Sequence, residues 1–348
     1  MRSSYSSLPF AGDYRFSGFS APRSPLRSAA AVAAGSLAVT ALVNHLLAKK
    51  AERDNPPAGK FIEIDGVRLH YVERGEGDAL VMLHGNGSMI EDYASSGLLD
   101  MAASKYRVIA FDRPGFGHSE RPRGKIWTPQ AQATLIHKAL QRMGISRALV
   151  LGHSWGTQVA IALALGHPDS VRGLVLASGY YFPSPRADVL LLAPPAIPVI
   201  GDVLRYTLAP FIARAIWPLM MRKIFGPAPV PSKFDAGFPK EMAVRPSQLR
   251  AAAAETMLMI PDAFAFRDDY KKLTMPVTII AGEQDRLIDF EAQSARLHRD
   301  IKHSTLHRVP GAGHMVHQTA PDLVLSAIDE AAGAPVRQWS GERADRAR

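Results

Sequence analysis

The sequence predicts an α/β fold, a mostly parallel sheet with helices on both faces and a helical cap inserted into it. Short apolar segments of strand length alternate with helical patterns along most of the chain. A hairpin pattern opens this alternation, and a proline-rich stretch interrupts it. The 348 residues could form one large domain or two small ones. Because the alternation covers most of the chain, we expect one domain, residues 61–333, with an insertion.

The strands are predicted from apolar runs bounded by turn residues. Residues 61–64 and 67–72 alternate with period two on either side of Asp65-Gly66, which predicts an opening hairpin. Six further strands are predicted at residues 79–83, 106–111, 148–151, 171–177, 277–281 and 304–309. Helical patterns separate these six strands, so we expect them to pair in parallel.

Residues 182–262 break the alternation and predict the cap. They contain thirteen of the chain's 26 prolines. Proline removes a backbone donor and interrupts helices, so short helices are expected there. The segment lies between the strands predicted at 171–177 and 277–281, and it is rich in leucine and methionine. Such a cap would cover one end of the sheet and present an apolar surface to a ligand bound there.

Residues 28–48 form an apolar run that contains no formally charged side chain. As a helix the run would span roughly 30 Å, enough to cross the hydrocarbon core of a bilayer. The sequence therefore predicts a membrane anchor helix at 28–48, preceded by a basic, Ser/Arg-rich segment at 1–27 and followed by a linker at 49–60. A cleaved export or organelle-targeting segment and a soluble helix are the alternatives. Basic residues flank both ends, so the orientation in the membrane is undetermined.

The net charge of +9 is concentrated at the two ends of the chain. Residues 1–60 carry +5, the basic tail 334–348 carries +2, and the domain at 61–333 carries only +2. That domain has no basic stripe or aromatic platform, so we expect no nucleic-acid partner. There is no cysteine, which excludes disulfides and thiolate metal sites. We expect neither a cofactor nor a metal.

Residues 152–156 have the sequence G-H-S-W-G and predict a nucleophile elbow. They follow the apolar strand predicted at 148–151 and precede a helical pattern at 157–165. In this context the flanking glycines allow a tight turn that projects the serine above the sheet. The amino end of the following helix favours negative charge at that point. Ser154 is therefore the candidate nucleophile.

A serine nucleophile requires a base and an acid that orients the base, expected in the order Ser, Asp or Glu, His. Asp285 follows the strand predicted at 277–281 and is the candidate acid, with Glu283 and Asp289 as weaker candidates. His314 lies in the loop after the last predicted strand and is the candidate base. The carboxyl ends of parallel strands are where such groups collect.

The chain also offers two backbone donors for a developing oxyanion. One is the N–H of Trp155, directly after the candidate nucleophile, and the other is the N–H of Asn86 in the glycine-bearing loop after the strand at 79–83. His84 in the same loop is interpreted as a structural residue.

In their order, these motifs resemble the α/β-hydrolase superfamily over residues 61–333. The motifs are L-H-G-N-G at 83–87, D-R-P-G-F-G-H-S at 112–119, the elbow, G-E-Q-D at 282–285 and G-A-G-H at 311–314. In that family the 112–119 segment is a structural turn, so we give it no catalytic role.

The resemblance and the motifs together imply an enzyme that hydrolyses carboxylic esters with an apolar acyl group through an acyl-enzyme. Haloalkane dehalogenases and epoxide hydrolases of this superfamily carry Asp at the position of Ser154, which argues against their alkyl-enzyme route. Asn86 after His84-Gly85 nevertheless resembles the dehalogenases. The alternatives are carbon–carbon bond hydrolysis, acyl transfer or perhydrolysis by the same triad, and a ligand-sensing protein that keeps the fold. The expected partners are a small-molecule ester and, through residues 28–48, a membrane.

Overall fold

The computed structural model describes residues 25–186, 189 and 192–333. The tail predicted at 334–348 and all but the last three residues of the segment predicted at 1–27 lie outside the described residues. The strands are β1 Lys60–Ile64, β2 Val67–Arg74, β3 Ala79–Leu83, β4 Arg107–Phe111, β5 Ala148–His153, β6 Val171–Ala177, β7 Val277–Gly282 and β8 Thr305–Val309.

Within the described residues these eight strands form one sheet in the order β1-β2-β4-β3-β5-β6-β7-β8. β1 and β2 form the predicted hairpin, and β2 pairs antiparallel with β4. Asp65 and Gly66 at the hairpin turn both have positive φ, 49° and 73°, as a type I′ turn requires. The remaining strands, β3 to β8, pair in parallel. The predicted fold class is confirmed, and every predicted strand is present.

Helices cover both faces of the sheet. Outside the insertion they are α2 Ile90–Ser96, α3 Leu98–Ala103, α4 Pro129–Arg142, α5 Gly156–Gly166, α11 Arg296–Asp300, α12 Val316–Thr319 and α13 Pro321–Ala331. Alternate residues of β3 enter opposite cores, because strand side chains alternate between faces. Val81 packs in the core that contains α4 and α5, and Leu80 packs in the core that contains α3 and α13. This double burial explains why the parallel strands are continuous apolar runs.

The first helix, α1, comprises Pro25–Asp54 and includes the run predicted as an anchor. Within Ser28–Asp54, an 18-residue window has a mean hydropathy of 1.7, and only 6% of that window is buried. By length and composition this helix could cross a membrane, and a signal sequence has the same properties.

The segment predicted as a linker from residue 49 is helical as far as Asp54. Two ion pairs along this last turn, Lys49–Glu52 and Lys50–Asp54, have the three- and four-residue spacing that stabilises helices. Ala51 on the same turn is buried, which gives the turn a packed face. Local pairing and packing therefore continue the helix past the point where the apolar run ends.

Between β6 and β7 the chain forms the helices of the predicted cap. They are α6 Ile200–Tyr206, α7 Ala209–Phe225, α8 Ser232–Gly237, α9 Lys240–Ala243 and α10 Pro246–Phe266. Not all are short, since α7 and α10 continue through Pro218 and Pro261. In α10 tertiary packing outweighs the lost hydrogen bond, because this helix buries side chains along its length. Residues 187, 188, 190 and 191 of the predicted cap lie outside the described residues.

A buried ion pair attaches α10 to the rest of the fold. The Arg113 guanidinium donates from Nη1 and Nη2 to the two carboxylate oxygens of Glu255, at 2.5 and 3.0 Å, and both side chains are fully buried. Arg113 also donates to the carbonyl oxygens of His84 and Gly85, at 2.7 and 2.9 Å. One side chain therefore holds the loop after β3 and the longest cap helix together.

We expect Glu255→Gln to lower the free energy of unfolding by about 3–5 kcal/mol, because it leaves the buried Arg113 charge without its counter-charge. Chemical denaturation measures this. Glu241→Gln is the matched control, since Glu241 is 46% exposed in its ion pair with Arg214 and should contribute about 0–1 kcal/mol. Equal denaturation midpoints for the two variants would contradict the assignment.

A second carboxyl group on α10, that of Asp262, is 6% exposed, and its Oδ2 receives no hydrogen bond within the described part of the chain. Burial, with the nearby Glu255 carboxylate, raises the pKa of Asp262 to about 7 from its ordinary value of 3.8. The folded state therefore binds this proton more tightly than the unfolded state does. The stabilisation that protonated Asp262 contributes is fully present below its ordinary pKa of 3.8. This stabilisation is lost as the pH rises toward 7.

Asp262→Asn should remove this loss, so its stabilising effect should grow between about pH 4 and pH 7 and then level off. Melting temperatures of the variant and the parent chain at pH 5 and pH 8 measure the difference. An effect that is the same at both pH values would show that Asp262 is not protonated in the folded state.

Candidate active site

Ser154 lies on a tight turn between β5 and α5. Its φ is +52°, in the left-handed region that non-glycine residues rarely adopt. A Cβ at Gly152 would lie 2.6 Å from the Gly156 carbonyl oxygen, and a Cβ at Gly156 would overlap the Leu83 carbonyl. These positions therefore require glycine, and the turn has the strand–turn–helix context of a nucleophile elbow.

The structure brings together the three side chains predicted as a triad. His314 Nε2 is 2.9 Å from Ser154 Oγ, and His314 Nδ1 is 2.7 Å from Asp285 Oδ2. The other carboxylate oxygen of Asp285 accepts the N–H groups of Leu287 and Ile288, at 2.8 and 3.0 Å. The side chains of His314 and Asp285 are only 4% and 2% exposed. Low exposure strengthens the electrostatic interaction between them.

The two weaker acid candidates have other partners. Glu283 lies 3.8 Å from Arg308, and Asp289 Oδ1 accepts the N–H of Ala292 at 2.7 Å. Of the three carboxylates considered, Asp285 is the one in contact with His314.

The N–H groups of Trp155 and Asn86 are both available for an oxyanion. In the described part of the chain neither amide donates to a protein acceptor. A Cβ placed on Gly85 would lie 3.1 Å from Ser154 Cβ, so the loop that carries Asn86 runs directly beside the nucleophile position. The Trp155 amide and the loop of Asn86 therefore both lie beside Ser154.

The Asn86 side chain contacts the cap. Its Nδ2 donates to the Ala252 carbonyl oxygen at 3.1 Å and to Thr256 Oγ1 at 3.0 Å, both on α10. On the other side of the site, the His314 N–H donates to the Ile224 carbonyl oxygen of α7 at 2.9 Å. Two cap helices are therefore hydrogen-bonded to the residues around Ser154, which the sequence motifs did not indicate.

His84 is a structural residue in this arrangement. Its Nε2 accepts the Arg113 N–H at 3.0 Å, and its Nδ1 is 2.8 Å from the Gly85 carbonyl oxygen. Burial and the Arg113 charge lower the pKa of His84 to about 3, so the ring is neutral and both nitrogens are engaged. These bonds fix the shape of the loop that carries Asn86.

Asp92, His153 and His317 form a buried cluster beside His314. His153 Nε2 is 3.1 Å from the His314 carbonyl oxygen, and His317 Nε2 is 2.9 Å from Asp92 Oδ1. One donor atom from each of the three lies within 4.8 Å of the others, a spacing that could hold a metal ion. Two further side chains donate to Asp92, at 2.8 Å each, so its carboxylate is already hydrogen-bonded. The cluster supports the loop of His314 from the protein interior.

Comparison with known proteins finds relatives over much of the chain. Haloalkane dehalogenase 2 of Mycobacterium tuberculosis is 27% identical over 293 residues, which cover 80% of this chain and 96% of that protein. The 2-hydroxymuconate semialdehyde hydrolase of a Pseudomonas strain is 36% identical over 137 residues, 38% of this chain and 48% of that protein.

Among solved structures, a thermophilic esterase from Thermogutta terrifontis superposes with a TM-score of 0.64 at 23% identity, covering 78% of this chain and 97% of that one. The family model described as the alpha/beta hydrolase fold matches residues 78–321, well over half of the chain. The chain belongs to the α/β-hydrolase family.

Proposed function

We propose that this protein is a serine hydrolase that cleaves carboxylic esters with an apolar acyl group. The observation that carries the proposal is the continuous hydrogen-bonded series from Ser154 Oγ through His314 to Asp285, at 2.9 and 2.7 Å. A hydrogen-bonded serine, histidine and carboxylate is the arrangement that activates a serine hydroxyl as a nucleophile.

In the proposed mechanism Ser154 Oγ attacks the ester carbonyl carbon while His314 Nε2 takes the serine proton. Asp285 accepts the Nδ1–H of His314 and stabilises the imidazolium that forms. The N–H groups of Asn86 and Trp155 donate to the oxyanion. His314 then gives its proton to the leaving alcohol oxygen, which leaves an acyl-enzyme. Water, deprotonated by the same histidine, attacks this intermediate and releases the acid and the free serine.

An apolar acyl group is supported by the cluster that joins the cap to the catalytic loops. Met89 follows the loop of Asn86, and Met315 follows His314. Both pack with apolar side chains of the cap, among them Phe225, Phe234 and Phe238. Apolar side chains of the cap thus reach both sides of the site, so a hydrocarbon chain would gain contacts there that a charged group would not.

The identity of the nucleophile and the similarity to known hydrolases help to rank the other reactions that this triad could catalyse. The alkyl-enzyme route of the dehalogenases needs an Asp where this chain has Ser154, so the similarity to haloalkane dehalogenase 2 does not favour that reaction. Carbon–carbon bond hydrolysis is the second candidate, because the 2-hydroxymuconate semialdehyde hydrolase has the higher local identity. Acyl transfer and perhydrolysis by the same side chains, and ligand sensing, are the further alternatives.

We also propose that α1 anchors the protein in a membrane through residues 28–48. The support is the mean hydropathy of 1.7 together with the low burial of this helix. Export or organelle targeting by a cleaved segment is the alternative.

Ser154→Ala, His314→Ala and Asp285→Asn should each lower kcat by about three or more orders of magnitude, because the three side chains act as one unit. Hydrolysis of p-nitrophenyl esters measures this. Asp289→Asn is the matched control and should retain activity, since among the described residues its carboxylate accepts only the Ala292 N–H. A fluorophosphonate probe should label the parent chain and not Ser154→Ala. Labelling of that variant, or an active Asp285→Asn enzyme, would refute the assignment.

Esters of medium-length acids should be better substrates than acetates. Each buried methylene is worth about 0.8 kcal/mol, so kcat/KM should rise about threefold to fourfold per carbon until the pocket is full. Met220→Lys should flatten this rise, because Met220 packs on the cluster between cap and catalytic loops. In an assay of water-soluble esters without lipid, the neighbouring Leu219→Lys should not, since Leu219 is 71% exposed. An acetate-preferring enzyme, unaffected by either substitution, would exclude an acyl pocket at this cluster.

A further inference from the structure

The first cap helices expose an unusual number of large apolar side chains. We define the apolar cap face as Val199, Ile200, Val203, Leu208, Ile212 and Leu219, which are between 50% and 74% exposed. The residues lie on α6, on α7 and beside them, and these two helices pack against each other. In the described chain outside α1 and the cap, only Phe61 and Ile126 are large apolar side chains with substantial exposure. Soluble monomers rarely expose such a concentration of apolar surface without a partner for it.

The connection between α6 and α7, which lies within the apolar cap face in sequence, is hydrogen-bonded to α1. Asn44 of α1 is 1% exposed, and its Nδ2 donates to the carbonyl oxygens of Tyr206 and Thr207, at 3.0 and 2.7 Å. Those two residues form the connection between α6 and α7. Leu42 and Leu46 lie on the face of α1 opposite Asn44 and are each 58% exposed. The Asn44 contact therefore joins the cap to α1 near the carboxyl end of the apolar run at 28–48.

The unpaired charges beside the apolar cap face are positive. Of the four basic side chains along residues 192–231, Arg205 pairs with Asp202 and Arg214 pairs with Glu241. Arg222 and Lys223, at the end of α7, are exposed and have no acidic partner among the described residues. A basic pair beside an apolar surface complements anionic lipid headgroups over hydrocarbon.

We propose that the apolar cap face lies in the surface of the bilayer that α1 enters, and that the substrate is an acyl ester dissolved in that bilayer. The substrate class rests on the proposed ester hydrolysis, whereas the docking rests on the proposed anchoring by α1 and not on turnover. A lipid bilayer is the occupant that satisfies all three observations, since a bilayer entered by the apolar run of α1 has its surface near Asn44, where the cap is joined to the helix. The cap then contacts lipid on α6 and α7 and contacts Asn86, beside Ser154, through α10.

The docking can be measured directly on the full chain, because its sequence contains no cysteine. A single Ile200→Cys substitution is labelled with an environment-sensitive fluorophore, and the protein is reconstituted into vesicles of phosphatidylcholine and phosphatidylglycerol. We expect blue-shifted emission that brominated lipids quench. Ser104→Cys is the control, since Ser104 is exposed just before the amino end of β4, at the opposite end of the sheet from the cap. Its label should be neither shifted nor quenched.

A label at position 200 that is blue-shifted but not quenched would show that protein, a second copy or another partner, covers the face. A label that is neither shifted nor quenched would show that the face is open to water. Either result overturns the docking. Ser154→Ala should give the same quenching as the parent chain, because docking needs no turnover.

The substrate class is tested with Ile212→Asp and the apolar control Ile212→Leu. Placing a carboxylate at the bilayer surface opposes docking, so kcat/KM for a long-chain ester embedded in vesicles should fall about tenfold or more in Ile212→Asp and little in Ile212→Leu. Hydrolysis of a short water-soluble ester should not change in either. Equal losses on both esters would refute a lipid substrate. A chain that is quenched by bromolipid yet hydrolyses no ester would refute the proposed function and retain the docking.

Discussion

The buried ion pair between Arg113 and Glu255 joins the cap to the rest of the hydrolase domain. Arg113 belongs to the turn after β4, and Glu255 belongs to the longest helix of the insertion. Burying either charge without the other would cost free energy in a low-dielectric interior. Each side chain therefore holds the other in position. Because the same guanidinium holds the carbonyls of His84 and Gly85, the position of the Asn86 loop depends on the cap being in place.

The fold could be predicted from the sequence because its signals are local. Apolar runs, the Asp65-Gly66 turn and the alternation of strands with helices each depend on residues a few positions apart. The candidate site could be predicted for a related reason. Ser154, Asp285 and His314 each follow a strand of a parallel sheet, and the carboxyl ends of such strands meet at one edge. The order of the motifs along the chain then indicates which of these residues is the candidate nucleophile, acid or base.

Contacts between distant segments could not be predicted. Glu255 and Asn44 are an acid in a proline-rich stretch and an amide in an apolar run, and neither sequence context indicates a partner. The continuation of α10 through Pro261 could not be predicted either, because packing against distant segments outweighs the local preference of proline there. The resemblance to a family assigns the turn at 112–119 a structural role. It does not indicate that Arg113 in that turn would reach the cap.

The position of the cap within the chain determines the order in which the parts are made during translation. α1 and the strand that leads to Ser154 precede the cap, whereas Asp285 and His314 follow it. A nascent chain therefore presents its apolar amino-terminal helix, and then its nucleophile turn, long before a base is available for that serine. Since domains fold as they emerge, the ribosome-bound chain cannot acquire its complete set of candidate catalytic groups until the cap has been synthesised.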